Sequence, residues 1–212
     1  MSRESAGEKL ARMTQMEREL ARQAGHAMLI AGIDEVGRGP LAGPVVTACT
    51  ALTPDRLIPG VDDSKKLSEK KREALYPQLL ESASYVKTAW IWQDEIDRIN
   101  ILNATKKAME ECAKDFAGDL ILVDAVDGLQ LPCPHRSIVH GDAVSYMIAA
   151  ASIVAKVERD RFMCKAAELY PHYGFERNKG YGTAEHIAAI RQYGPCPLHR
   201  LSFIQKFLPE QV

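Results

Sequence analysis

The chain has 212 residues, 46% of them hydrophobic, and its 27 basic and 28 acidic side chains leave a formal net charge of −1. That size fits one globular domain with at most a small appendage, and the near-neutral balance excludes a global basic field, though not a local basic patch, as a route to nucleic acid. Five scattered cysteines without a Cys-x-x-Cys pair point to reduced thiols in a cytoplasmic protein; no apolar run reaches the length of a membrane span, and the N-terminus has no signal-peptide core.

Residues 1–26 are rich in Arg, Glu, Gln and Ala, with Leu10, Met13 and Leu20 at roughly helical spacing. A helical extension is expected there, loosely attached or docked on the domain, with a frayed segment favoured over a partner-binding helix. The domain proper is expected over residues 27–212, with a sheet-containing part to about residue 165 and a helical part after it. The apolar run Met28–Ile33 predicts a buried strand, and it stops at two acids, Asp34 and Glu35. A turn at Gly37, Arg38 and Gly39 follows, then a β-branched run, Val45–Leu52, that predicts a second strand pairing antiparallel with the first. The glycine spacing is wrong for a dinucleotide fold, and no Gly-Lys-Ser/Thr ending marks a P-loop.

Ser68 is placed to cap a helix whose residues Ala74, Leu75, Leu79 and Leu80 would face the core. Lys65, Lys66, Lys70, Lys71 and Arg72 are the densest basic cluster, read either as a solvated face or as phosphate contacts. Tyr85–Trp92 predicts a third strand, and residues 93–116 one long helix with Ile101, Thr105, Ala108, Cys112 and Phe116 on its buried stripe. Leu120–Val123 predicts a fourth, strongly apolar strand ending in Asp124, in a right-handed crossover and a parallel pair. Arg136–Asp142 suggests a short last strand. A long helix is expected from Ala143, with Asp142 at its start and small residues at 149–152 for close packing on the sheet. A second Gly-rich turn surrounds Tyr181, and two short helices end the chain.

Asp34 and Asp124 thus end the two most apolar strands, and Asp142 follows the last one. If both strands are central, the acids meet at one end of the sheet. Glu35 joins them only if the chain bends directly after Asp34, because strict alternation turns it to the other face. Four carboxylates with no His or Cys beside them suit Mg²⁺ or Mn²⁺. Two such ions about 4 Å apart can activate water and stabilise the leaving oxygen of an in-line displacement. Pattern alone therefore predicts metal-dependent phosphoryl transfer. An ordinary strand and turn bearing surface acids is the competing reading of Asp34 and Glu35.

The blocks IDEVGRGPLAGPVV, DDSKKLSEKKRE, INILNATKKAM, LVDA, GDAVSYMIAAASIVAKVERD, NKGYGT and HRLSF, in this order from about Leu29 to Phe203, resemble the ribonuclease HII family of bacteria. The resemblance implies an α/β fold, a ribonuclease H-like mixed sheet flanked by helices, with a helical C-terminal part. It implies a metal site of Asp34, Glu35, Asp124 and Asp142 holding two divalent ions, Mg²⁺ or Mn²⁺. It implies hydrolysis of the RNA strand of RNA–DNA hybrids and cleavage 5′ of single ribonucleotides in duplex DNA, leaving 3′-hydroxyl and 5′-phosphate ends, as the first step of ribonucleotide excision repair. Gly37, Arg38 and Gly39 match the motif whose backbone reads the ribose 2′-hydroxyl, and Tyr181 the tyrosine that packs on the next sugar. Lys65 and Lys66 are candidate phosphate contacts, and a monomer with nucleic acid as its partner is expected. Asn178 stands where many members carry histidine. His135, His140, His172, His186 and His199 read as structural or substrate-side residues, not as metal ligands. Two alternatives stay open: a binding module that has lost the chemistry, and a different nuclease on the same fold.

Overall fold

The computed structural model describes residues 4–208. The apolar runs become one mixed sheet. In chain order the elements are α1 (Ala6–Met13), α2 (Gln15–Ala24), β1 (Ile30–Val36), β2 (Val45–Ala51), α3 (Glu69–Ser82), β3 (Tyr85–Ile91), α4 (Gln93–Ile99), α5 (Ile101–Ala113), β4 (Leu120–Asp124), β5 (His135–Ile138), α6 (Tyr146–Leu169), α7 (Phe175–Asn178), α8 (Ala184–Tyr193) and α9 (Leu201–Ile204). The strand order is β3-β2-β1-β4-β5, with β1–β2 and β2–β3 antiparallel and β1–β4 and β4–β5 parallel. The most apolar strands are therefore central, where both faces are covered.

Period-two alternation divides β1 between two cores. Ala31 and Ile33 pack with Cys49, Met109, Cys112 and Phe116 on the α5 side. Gly32 faces α6, and a methyl group added there would sit 2.1 Å from the Met147 carbonyl carbon. The helix backbone thus lies directly on the strand, a separation only glycine permits. Ala149, Ala150 and Ala151, all fully buried, continue this close seam. A third core, containing Leu41, Met163, Phe175 and Ile204, joins the C-terminal helices to the loop after β1.

Several expectations are corrected. The strand at Met28–Ile33 begins at Ile30 and runs on through both acids to Val36. The expected single helix over 93–116 is two, because Asn100 takes φ +66° and its side chain caps α5 by accepting from Leu102 N and Asn103 N. β4 is parallel to β3 in direction but pairs with β1, so the crossover passes over two strands. On α3 only Leu75 and Leu79, one turn apart, reach the core; Ala74 and Leu80 are exposed. Ser145, not Asp142, caps α6.

The extension is not frayed. Met13 is fully buried in the α6-side core, and Glu17 and Leu20 are buried as well. Among the described residues no helix is long and apolar enough to cross a membrane.

Candidate active site

β1 and β4 run side by side in the same direction, with Ile33 opposite Val123, so Asp34 and Asp124 emerge at the same level of the sheet. Asp142 arrives from a short 3₁₀ turn, Gly141–Ala143, just beyond β5. Asp34, Asp124 and Asp142 each offer a carboxylate oxygen, and these oxygens lie within 4.8 Å of one another. Asp34 and Asp142 are buried and Asp124 is half-buried. The backbone is forced at both joints: Ala125, directly after Asp124, has φ +46°, and His140, two residues before Asp142, has φ +57°. Non-glycine residues enter this region at a cost of roughly 1–3 kcal/mol, so the surrounding packing must over-determine them.

Such a cluster resists ionisation. Burial first, then the charges of Glu35 and Asp124, hold the Asp34 carboxyl well above the usual carboxylate range. Burial also raises Asp124, against the hydrogen bond that Gly141 N donates to its Oδ1 at 2.7 Å. Lys65 Nζ donates to Asp142 Oδ2 at 3.2 Å, so a cation already sits at the group's edge. Lys66 pairs instead with Asp63 at 3.8 Å.

Glu35 behaves differently from expectation. The chain does not bend after Asp34: Asp34 pairs with Ala48, Glu35 with Thr47 and Val36 with Val46 in unbroken register. Glu35 is thus outside the three-carboxylate group, and its Oε1 lies 3.5 Å from Arg38 Nη1. It still senses the site. Burial, and the Asp124 charge against that of Arg38, push it up to about 7.

The left-handed turn comes at Gly37, φ +93°, where an added methyl would meet Arg159 Nε at 2.3 Å. Two buried arginines hold this loop, and no sequence expectation attached a role to them. Arg200 donates to the carbonyls of Gly37 (2.6 Å), Arg38 (3.0 Å) and Gly43 (2.7 and 2.9 Å). Arg159 donates to Ala42 O, Pro44 O and Lys179 O at 3.1, 2.9 and 2.9 Å. With carbonyls as their hydrogen-bond partners, burial pulls Arg159 down to about 10 and Arg200, also beside Arg159, down to about 9. One signal was available: Arg159 falls one helical turn from both Ala155 and Met163, on the buried stripe of α6.

Tyr181 closes this side. It is 42% exposed, and a methyl group on Gly39 would lie 3.8 Å from its Cε1, so ring and turn face each other. Leu41 N donates to Gly180 O at 2.8 Å. Asn178, in place of the expected histidine, braces the turn: its Nδ2 donates to Tyr173 O and its Oδ1 accepts from Gly180 N. Two buried histidines complete the support. Cys196 N donates to His199 Nδ1 at 2.9 Å, which leaves His199 Nε2 as donor to His186 Nε2 at 3.0 Å. His186 Nδ1 then donates to Tyr181 O at 2.9 Å. This chain of bonds fixes both tautomers. Neither histidine is a member of the three-carboxylate group.

Acids at the adjoining ends of parallel central strands, on a mixed sheet covered by helices, define a ribonuclease H-like α/β protein. A family model for ribonuclease HII matches residues 31–206. Ribonuclease HII of Enterococcus faecalis is 53% identical over 193 residues, covering 90% of this chain and 74% of that protein. The Idiomarina loihiensis protein of the same name is 51% identical over 177 residues, 82% of this chain and 95% of its own. The crystal structure of ribonuclease H2 from Pyrococcus horikoshii superposes with a TM-score of 0.72 at 26% identity, covering 85% of this chain and 97% of that one. The chain belongs to the ribonuclease HII family, endoribonucleases that hydrolyse RNA in RNA–DNA hybrids.

Proposed function

We propose that the protein cuts the RNA strand of RNA–DNA hybrids and also cuts 5′ of a single ribonucleotide embedded in duplex DNA, leaving a 3′-hydroxyl and a 5′-phosphate. This is the opening step of ribonucleotide excision repair, carried out in the cytoplasm by a monomer. The observation that carries the reading is the adjacency of a carboxylate group, to which β1 contributes Asp34, and the glycine turn that follows β1 and faces an exposed tyrosine.

Asp34, Glu35, Asp124 and Asp142 would hold two divalent cations, Mg²⁺ or Mn²⁺. The donors fit: all are hard oxygens, three lie within 4.8 Å of one another, and their mutual repulsion is what a cation relieves. When bound, such ions supply Lewis-acid stabilisation of the phosphate and a more acidic water. The chain's own residues do the rest. Lys65, whose ammonium rests on Asp142 at 3.2 Å, and Lys66 beside it would contact the phosphate backbone. Arg38 is 42% exposed along its side chain and adds a second positive contact. Main-chain groups of Gly37 to Gly39 meet the ribose 2′-hydroxyl, the group that distinguishes RNA from DNA. Tyr181 packs on the following deoxyribose, where a 2′-hydroxyl would clash.

The test is a pair of duplexes, one all-DNA and one carrying a single ribonucleotide, incubated with the protein and Mg²⁺ or Mn²⁺. A cut 5′ of the ribonucleotide, absent from the all-DNA duplex, is expected. Equal cleavage of both, or of neither by folded protein, refutes the proposal. Tyr181→Ala should lose cleavage of the single-ribonucleotide duplex while metal binding by calorimetry is unchanged.

A further inference from the structure

The segment that precedes β1 lies outside the residues matched by the family model, 31–206, yet it reaches the candidate site from two directions. Glu17 of α2 inserts a buried carboxyl group against the start of α6. Its Oε1 accepts from Ser145 Oγ at 2.6 Å and from Met147 N at 3.2 Å. Ser145 Oγ in turn accepts from Ile148 N, as the N-cap of α6. Arg12 of α1 donates from Nη1 to Ala143 O at 3.3 Å, one residue from Asp142. The segment leading from the Asp142 turn into α6 is therefore held at Ala143 by Arg12 and at Ser145 and Met147 by Glu17. The second contact is with the loop that carries Lys65. Lys9 of α1 pairs with Asp62. Asp62 Oδ1 accepts from Asp63 N, and Asp63 Oδ1 from Lys65 N. Lys65 is the residue whose ammonium rests on Asp142.

Asp34 lies within β1 and Asp124 ends β4, both strands are paired on both sides, and the sheet fixes the two acids. Asp142 and Lys65 lie on connecting segments outside the sheet and need another source of rigidity. A ligand held by a loop loses affinity when the loop wanders, and outer contacts that orient a metal ligand are worth about 10–100-fold in affinity.

We infer that α1 and α2 form a clamp that sets the position of Asp142, and that Glu17 is its central positioning residue, raising the affinity of the carboxylate group for divalent cations. The inference rests on reading that group as a metal site. Glu17 touches neither metal nor substrate; it acts through Ser145 and Met147. Its Oε2 is buried without a partner, and burial holds the carboxyl group above the ordinary carboxylate range. Glutamine is therefore close to a replica, since its Oε1 keeps both accepted bonds.

The experiment measures Mn²⁺ binding by titration calorimetry, melting temperature, and the Mn²⁺ dependence of hybrid hydrolysis, all on the full chain. Four proteins are compared: wild type, Glu17→Ala, Glu17→Gln and Met109→Ala. Met109 is fully buried in the α5-side core, on the opposite face of the sheet, and supplies a control for lost stability alone. Glu17→Ala should weaken Mn²⁺ binding about tenfold and raise the Mn²⁺ requirement of hydrolysis by the same factor, with less than about a twofold loss of rate at saturating metal. Glu17→Gln should stay within about twofold of wild type in affinity, and Met109→Ala should melt lower with unchanged affinity. If Glu17→Ala does not fold, Glu17→Asp, too short to reach both donors, takes its place with the same expectation. Wild-type affinity in the folded Glu17 variant, or an equal loss in Met109→Ala, overturns the clamp alone. A wild-type chain that binds no Mn²⁺ overturns the metal-site reading together with it.

Discussion

Asp34→Asn should make the metal-free protein more stable while removing its activity. Asp34 is 4% exposed and faces Asp124 and Asp142 across at most 4.8 Å. At that separation, with an effective dielectric constant of about 20, each like-charge pair costs roughly 3 kcal/mol. Proton uptake caps the penalty, because the raised pKa values of Asp34 and Asp124 let a carboxyl stay neutral instead. The amide keeps the one hydrogen bond seen on Asp34, from Glu35 N to Oδ1 at 2.7 Å, and carries no charge beside the other two acids. Net stabilisation of roughly 1–3 kcal/mol is left, and in a chain of this size 1 kcal/mol raises the melting temperature by about 2–4 °C. The assay is thermal unfolding at pH 7.5 in EDTA and again in millimolar Mg²⁺. The variant should melt higher than wild type in EDTA and gain little from Mg²⁺, whereas wild type gains by mass action. A variant that melts below wild type in EDTA would refute the reasoning, since Asp34 would then be a structural acceptor and not a source of repulsion.

Glu35 predicts a pH dependence. Its folded pKa is raised from 4.5 to about 7, so the folded state holds a proton that the unfolded state releases, and metal-free stability falls as pH rises between those values. A comparison of melting curves for wild type and Glu35→Gln in EDTA from pH 5 to 8 should isolate a loss of roughly 3 kcal/mol, present in wild type only; parallel curves would contradict the shift. Arg200→Lys cannot replace four hydrogen bonds to Gly37, Arg38 and Gly43. Cleavage of a single-ribonucleotide duplex should drop by at least about tenfold with Mn²⁺ binding unchanged, since one misplaced contact to the transition state is worth 1.4 kcal/mol or more; full activity would show that the loop needs no such support. Gly32→Ala places a methyl 2.1 Å from Met147 C, and forcing α6 off β1 should cost roughly 3 kcal/mol or more, read by denaturant unfolding.

Legibility followed the range of each interaction. Strand positions, the antiparallel β1–β2 pair and the Ser68 cap were readable because period-two alternation and capping are local. The meeting of Asp34, Asp124 and Asp142 was readable because charges at the ends of apolar runs have few other places to go. Glu35 lies outside the close group because the bend expected directly after Asp34 does not occur: the ladder to β2 continues through Val36 and keeps the alternation. The break at Asn100 hid inside a good helical period, since one side chain that caps two amides outweighs the pattern. The docking of α1 and α2 depends on a bond between residues 128 apart, Ser145 to Glu17, which no local rule contains.

The buried arginines show what the local reading could not supply. A loop proposed to read a 2′-hydroxyl with main-chain groups must be held still, yet it has no sheet to hold it, since β1 ends at Val36 and β2 begins at Val45. Backbone carbonyls turned inward there would be unsatisfied and costly. Arg159 and Arg200 satisfy five of them, from Gly37, Arg38, Ala42, Gly43 and Pro44. They reach these carbonyls from α6 and from the segment just before α9, so elements far apart in sequence meet at the turn. Arginine suits this task because its fork presents several fixed donors at once. The cost is two buried positive charges, felt as depressed pKa values, just as burial raises Asp34 in the opposite sense. Under the proposed function both displacements follow from one requirement: chemistry and sugar recognition would share the segment from Asp34 to Gly39, and the fold must fix charged or polar groups around it that it would otherwise leave in water.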